Sequence, residues 1–231
     1  MIDLSTRGLK YLLIINFKNY LELSSDNTLE LAMAAQKAAH KLRVKTVLAP
    51  PPPSLSLVAQ NVSIPVFCQH LDDMQAGQST GFFIAELARS FGASGSILNH
   101  SEHRLDYQTI RSLVQRLRKL DMVSVVCART ANEAAELARL NPSFIAIEPP
   151  ELIGSGKAVS KENPKAILDT VKLVSEYSDS TRVICGAGIV DKSDVRSALD
   201  LGVIGILVAS GIVKANSWYD KILELASGFL E

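Results

Sequence analysis

Asn16 and Lys18 close the first strongly apolar run of the chain, with Phe17 between them. Strand alternation sends Asn16 and Lys18 to one face and Phe17 to the other. A lysine in a polar pocket at a strand end can meet an anion or a developing oxyanion, although a lone lysine is more often simply solvated. The most polar strand end is Asn99-His100-Ser101-Glu102-His103-Arg104, directly after the run Gly95–Leu98. Histidine titrates near neutrality and is the commonest general acid or base. His40 falls on a helix face, His70 sits near Asp72 and Asp73 with a structural setting, and His100 fits proton transfer best. Ser101-Glu102 can begin a short helix whose N-terminus points at His100, which favours the neutral imidazole. Glu102 is then expected to stand behind the reacting groups and pair with Lys18. Glu148 follows the apolar run Phe144–Ile147. A carboxylate there is costly to bury without a task or a partner. The segment after it, Pro149-Pro150-Glu151-Leu152-Ile153-Gly154-Ser155-Gly156, pairs stiff residues with glycines and suits a moving lid. Two small-residue turns, Gly186-Ala187-Gly188 and Ala209-Ser210-Gly211, allow a backbone to approach a ligand closely.

All of these groups sit where one repeating pattern would place them. Short β-rich runs occur at Tyr11–Phe17, Thr46–Leu48, Val66–Gln69, Gly95–Leu98, Met122–Cys127, Phe144–Ile147, Arg182–Cys185 and Gly205–Val208. Several are continuously apolar, as strands buried on both faces must be. Helical spacing appears between them, for example Ile110, Leu113, Val114 and Leu117, or Ile222, Leu225, Ala226 and Phe229. Asn163-Pro164 and Ser193-Asp194 read as helix starts. Eight alternations predict a parallel (β/α)₈ barrel, with a doubly wound open sheet as the rival. Such barrels work at the carboxyl ends of their strands, and the loops after strands seven and eight often hold a phosphate on backbone N–H groups.

Composition sets the outer limits. The chain has 231 residues, 24 Lys+Arg against 24 Asp+Glu, and 47% hydrophobic residues. That length suits one barrel domain over residues 1–231, and no Pro/Gly/Ser-rich linker divides it. Zero formal net charge offers no basic excess for nucleic acid or an anionic membrane. The run Tyr11–Phe17 is too short to span a bilayer or serve as a signal core, so a cytoplasmic protein is expected. Cys68, Cys127 and Cys185 are widely spaced, form no C-x-x-C pair and read as small buried hydrophobes. No metal-ligand cluster or cofactor motif stands out.

A carboxylate base, a neutral acid, a cation and a phosphate cradle suit proton abstraction beside a carbonyl in a small phosphorylated compound. An aldolase with Lys18 as Schiff-base lysine, a metal-dependent epimerase and a non-catalytic phosphate-binding barrel remain alternatives at this level.

The motifs Ile15-Asn16-Phe17-Lys18, Asn99-His100-Ser101-Glu102, Ala146-Ile147-Glu148-Pro149-Pro150 with its glycine-bearing continuation, Cys185-Gly186-Ala187-Gly188-Ile189 and Leu207-Val208-Ala209-Ser210-Gly211 resemble the triosephosphate isomerase family, in its shorter, archaeal-type branch. They run in order over nearly the whole chain. The resemblance implies the TIM barrel fold and interconversion of dihydroxyacetone phosphate and glyceraldehyde 3-phosphate without metal or cofactor, in glycolysis and gluconeogenesis. It implies Glu148 as the base, neutral His100 as the electrophile and Lys18 as the cation on the enediolate. It implies a substrate-binding set of Asn16, Phe17, Lys18, Ile153, Gly188, Ala209 and Ser210, with Glu102 behind them. It also implies a homo-oligomer, dimer or tetramer, with Phe82 and Phe83 as interface or core residues. The sequence departs from the longer members at Pro150-Glu151-Leu152, at Ser155, at His103 and in the absence of a serine from Gly186-Ala187-Gly188.

Overall fold

A computed structural model describes residues 10–24, 26–149 and 158–230. Its strands are β1 (Leu12–Asn16), β2 (Lys45–Ala49), β3 (Phe67–Cys68), β4 (Gly95–Leu98), β5 (Val123–Ala128), β6 (Phe144–Ile147), β7 (Arg182–Cys185) and β8 (Gly205–Val208). The helices are α1 (Asn27–Leu42), α2 (Leu55–Asn61), α3 (Ala85–Ser90), α4 (Tyr107–Lys119), α5 (Ala131–Ala138), α6 (Val159–Glu162), α7 (Pro164–Tyr177), α8 (Lys192–Asp200), α9 (Ser210–Val213) and α10 (Trp218–Ser227). The sheet runs β2-β1-β8-β7-β6-β5-β4-β3, every pair parallel. A single parallel bridge between Leu48 and Val66 joins its two ends, so the ring closes as a (β/α)₈ barrel rather than an open sheet.

Period-two alternation divides the apolar residues into two layers. Leu12, Ile14, Val47, Phe67, Ile97, Val125, Phe144 and Ile184 fill the barrel interior. Leu13, Ile15, Leu48, Leu98, Val126, Ile145 and Ile147 face outward into the layer under the helices. Each strand is therefore apolar on both faces. The two glycines at strand starts allow close approaches between strands: a Cβ on Gly205 would lie 2.3 Å from the Leu12 carbonyl oxygen, and one on Gly95 2.6 Å from that of Val123.

α4, α5, α7, α8 and α10 start where short polar side chains take up free N–H groups. Asp106 accepts from Gln108 and Thr109 at the head of α4. Asn163 accepts from Ala166 ahead of Pro164 in α7. α8 begins one residue earlier than expected, because Asp191 caps it and Asp194 completes the reciprocal capping box. β3 is shorter than the run Val66–Gln69 suggests. Gln69 turns its side-chain amide onto the carbonyls of Ala49 (2.9 Å) and Lys18 (3.2 Å), so its polar end serves the ends of β1 and β2. All three cysteines are buried with free thiols.

Candidate active site

The carboxyl ends of β1, β4, β6, β7 and β8 open into one cavity of about 290 Å³. Asn16, Lys18, His100, Glu148, Gly188, Ala209 and Ser210 all line it. Phe17 does not. Its side chain is fully buried in the layer beneath the helices, and its N–H is bonded to the Ala49 carbonyl at 3.0 Å. The alternation that brings Asn16 and Lys18 to the cavity turns the Phe17 side chain, expected in the substrate-binding set, away from it. Of the lid expected from Pro149 through about Ser160, residues 150–157, Ile153 among them, lie outside the described residues.

Lys18 adopts a left-handed backbone with φ of 50°. The Asn16 side-chain oxygen accepts its N–H at 3.0 Å, and Gln69 donates to its carbonyl. Those two bonds offset the cost of the unusual conformation and direct the side chain across the cavity floor. Lys18 Nζ stands 2.7 Å from Glu102 Oε1, the pairing anticipated from sequence. Lys18 is largely covered, whereas Glu102 is exposed.

The expected short helix after His100 is absent. Residues 101–103 make a turn and bend, with the His103 N–H bonded to the His100 carbonyl at 2.8 Å, residues 104–106 follow without regular structure, and the next helix starts at Tyr107. A single backbone group does the work assigned to that helix. The Glu102 N–H donates to His100 Nδ1 at 3.2 Å. Nδ1 must then carry a lone pair, so the neutral ring holds its proton on Nε2. Burial, and next the Lys18 charge, pull the His100 pKa down from 6.5 to about 4. Glu102 opposes them.

Glu148 is almost wholly buried, and its Oε1 lies 3.6 Å from His100 Nε2. That separation is too long for a hydrogen bond, so both reactive edges remain available to a third group. Glu148 Oε2 is buried with no hydrogen-bond partner among the described residues. Burial pushes the Glu148 carboxyl up from 4.5 to about 7, against the lowering effects of Cys127 and Lys18. Two facing groups thus have their affinities for protons displaced in opposite directions, which is how a single pocket separates a base from a neutral acid.

Three contributors were not foreseen. Gly186 sits in a turn whose small residues suggest close ligand approach, yet a Cβ there would fall 2.5 Å from Glu148 Cγ and 2.7 Å from its Oε1. Its bare α-carbon is the space the carboxylate occupies. Asn99 is buried in a left-handed conformation with φ of 58°. It donates to the Cys127 carbonyl at 2.9 Å, accepts the Leu105 N–H at 3.0 Å and receives Arg104 on its own carbonyl at 2.9 Å. Arg104 is in turn ion-paired with Glu133. Gln69 is the third. An asparagine at a strand end is a weak sign of positive φ; nothing in sequence marks the other two. His70 and His103 stack with ring centroids 3.7 Å apart, outside the cavity lining.

The phosphate-cradle turns also reach the cavity. Gly188 has φ of 72°, and α9 begins at Ser210, directly after β8. Fold and cavity define a (β/α)₈ barrel with a carboxylate–imidazole pair and a lysine at the carboxyl ends of its strands. The sequence model for triosephosphate isomerase matches residues 11–226. Among curated proteins, the triosephosphate isomerase of Cenarchaeum symbiosum is 49% identical over 93% of this chain and 96% of its own length. That of Caldivirga maquilingensis is 45% identical over 93% and 95%. The Methanocaldococcus jannaschii enzyme is 40% identical over 93% and 98%. The chain belongs to the triosephosphate isomerase family.

Proposed function

We propose that the protein interconverts dihydroxyacetone phosphate and D-glyceraldehyde 3-phosphate through an enediolate, without metal or cofactor. The observation that carries this is the facing pair: Glu148 raised to about 7 and His100 lowered to about 4, 3.6 Å apart over one cavity. The Glu148 carboxylate takes a proton from C1 of the ketose and returns it to C2. Its raised pKa makes it a stronger base that still ionises near neutral pH. His100 donates from Nε2 to the carbonyl oxygen, then relays the proton between O1 and O2. Lys18 balances the negative charge that builds on those oxygens, with Asn16 beside it. Backbone groups at Gly188, Ala209 and Ser210 hold the phosphate, joined by Ile153 from the lid. Closure of that lid excludes water, which guards the enediolate against loss of phosphate.

The single-barrel unit, a place in glycolysis and gluconeogenesis, a cytoplasmic setting and assembly as a homodimer or homotetramer belong to the same proposal. No helix among the described residues is long and apolar enough to cross a membrane. Phe82 is exposed beside Phe83, which packs partly on the core, and it supports the oligomer as an interface residue. The test is conversion of glyceraldehyde 3-phosphate by EDTA-treated protein, coupled to glycerol-3-phosphate dehydrogenase. Rapid turnover is expected. Absence of turnover, or turnover that needs added metal, overturns the proposal.

A further inference from the structure

The cavity has a second cation that the proton-transfer chemistry leaves unused. Lys214 lines the cavity at its rim, immediately after α9, the short helix that begins at Ser210. The Lys214 N–H bonds to the Ser210 carbonyl at 3.1 Å, so the turn that presents Ala209 and Ser210 also fixes the root of this side chain. Its ammonium lies 4.9 Å from the ring centroid of Tyr20, which lines the cavity from the β1 side and packs partly on the core. A cation over a ring face at that distance is held by the ring quadrupole while its charge stays available to an anion. Lys214 has no carboxylate partner among the described residues.

The remaining charges leave a vacancy for this role. Lys18 is already paired with Glu102 at 2.7 Å. The neighbouring Glu148 carries negative charge when ionised and repels an incoming anion. His100 is neutral. A phosphate monoester carries close to two negative charges at neutral pH. Among the described residues that line the cavity, Lys214 is therefore the cation free to meet it, in a chain whose formal net charge of zero provides no general attraction. A charge at a rim acts mainly on encounter rate and on salt dependence.

We infer that Lys214, steadied over Tyr20, is a specificity-determining residue that recruits the dianionic phosphate group to the β7–β8 side of the cavity. This rests on the phosphate-ester substrate proposed above. The probes are 2-phosphoglycolate binding by calorimetry and steady-state isomerisation, each across a series of ionic strengths. Lys214→Gln is expected to bind 2-phosphoglycolate about tenfold more weakly at low salt, with the loss of kcat/KM residing in KM. The difference from wild type should shrink as the Debye length falls from about 10 Å at 0.1 M towards 3 Å at 1 M. Lys214→Arg should restore most of the affinity, and Tyr20→Leu should lose part of it. Lys214→Gln with wild-type affinity and the same salt slope overturns the inference, as does a loss that is equal at every salt concentration. If wild-type protein binds 2-phosphoglycolate through Lys214 but isomerises nothing, the recruiting role stands and the isomerase proposal falls. If it isomerises and Lys214→Gln is indistinguishable, the reverse holds.

Discussion

Gly186→Ala applies the smallest steric push available to the proposed base. The new Cβ would sit 2.5 Å from Glu148 Cγ, 2.7 Å from Oε1 and 3.0 Å from Cδ. Carbon atoms rest about 3.5–4.0 Å apart, so the carboxylate must move by roughly 1 Å. Glu148 is buried and its N–H is tied to the Ala128 carbonyl at 2.8 Å, so its side chain rather than its backbone takes up the shift. A displacement of ~1 Å in a reacting group costs on the order of a hundredfold in rate. Overpacking of this kind also destabilises by about 1–3 kcal/mol. Steady-state kinetics and denaturant unfolding of Gly186→Ala should show both effects, with substrate affinity changed far less than kcat. In the Gly186→Ala/Glu148→Ala double variant, the stability loss attributable to the collision should vanish, since its target is gone. A folded Gly186→Ala protein with kcat within twofold of wild type refutes the reasoning. So does a stability loss that persists unchanged without Glu148.

Acidity gives an independent check. Because burial raises Glu148 to about 7, kcat/KM should rise with pH through a single ionisation near that value, while His100, lowered to about 4, stays neutral across the same range. An acid limb near the ordinary carboxylate value contradicts this. The same shift predicts a stability effect whose sign is set by linkage. The folded state binds the Glu148 proton more tightly than the unfolded state, so wild type loses stability as pH rises from 4.5 through about 7. Glu148→Gln, which mimics the protonated form, should therefore be more stable than wild type by about 3 kcal/mol at pH 8 and by under about 1 kcal/mol at pH 5. Equal differences at the two pH values in urea melts would count against it. Gln69→Leu removes the donors to the Lys18 and Ala49 carbonyls and should raise KM severalfold with a smaller change in kcat; unchanged KM speaks against its role in holding Lys18. Asn99→Ala strands the buried Cys127 carbonyl and strains a positive φ, so it should destabilise by about 2–4 kcal/mol in denaturant titrations.

The fold was legible because a closed parallel barrel leaves no strand face in water. Each strand then reads as an apolar run, and β4, β6, β7 and β8 lie within the bounds those runs suggest. The polar residue directly after such a run has little choice but the barrel mouth, which is why Asn16, Lys18, His100 and Glu148 could be found together. The remaining features depend on partners remote in sequence. Gly186 is empty for the sake of Glu148, 38 positions earlier by residue number, and no local pattern records that. Gln69 ends an apolar run, but its amide answers the carbonyl of Ala49 in β2 and that of Lys18 just beyond β1. The helix expected after His100 failed for a local reason. Asn99 turns left-handed and its side chain accepts the Leu105 N–H, which curls residues 99–105 into a tight loop before Asp106 can cap α4. The neutral imidazole was anticipated, but its cause is burial, the Lys18 charge and one backbone N–H rather than a helix dipole.

The most direct test of Glu148 as a proton-transferring base is isomerisation of glyceraldehyde 3-phosphate in D₂O by EDTA-treated protein, followed by proton NMR, for wild type and Glu148→Gln. A carboxylate that carries the proton between carbons exchanges it with solvent during its lifetime. Wild type should place deuterium at the carbon that gains the proton, and Glu148→Gln should slow turnover by about a thousandfold or more. Rapid turnover with no solvent deuterium in the product, or a Glu148→Gln protein that retains wild-type kcat, contradicts the account.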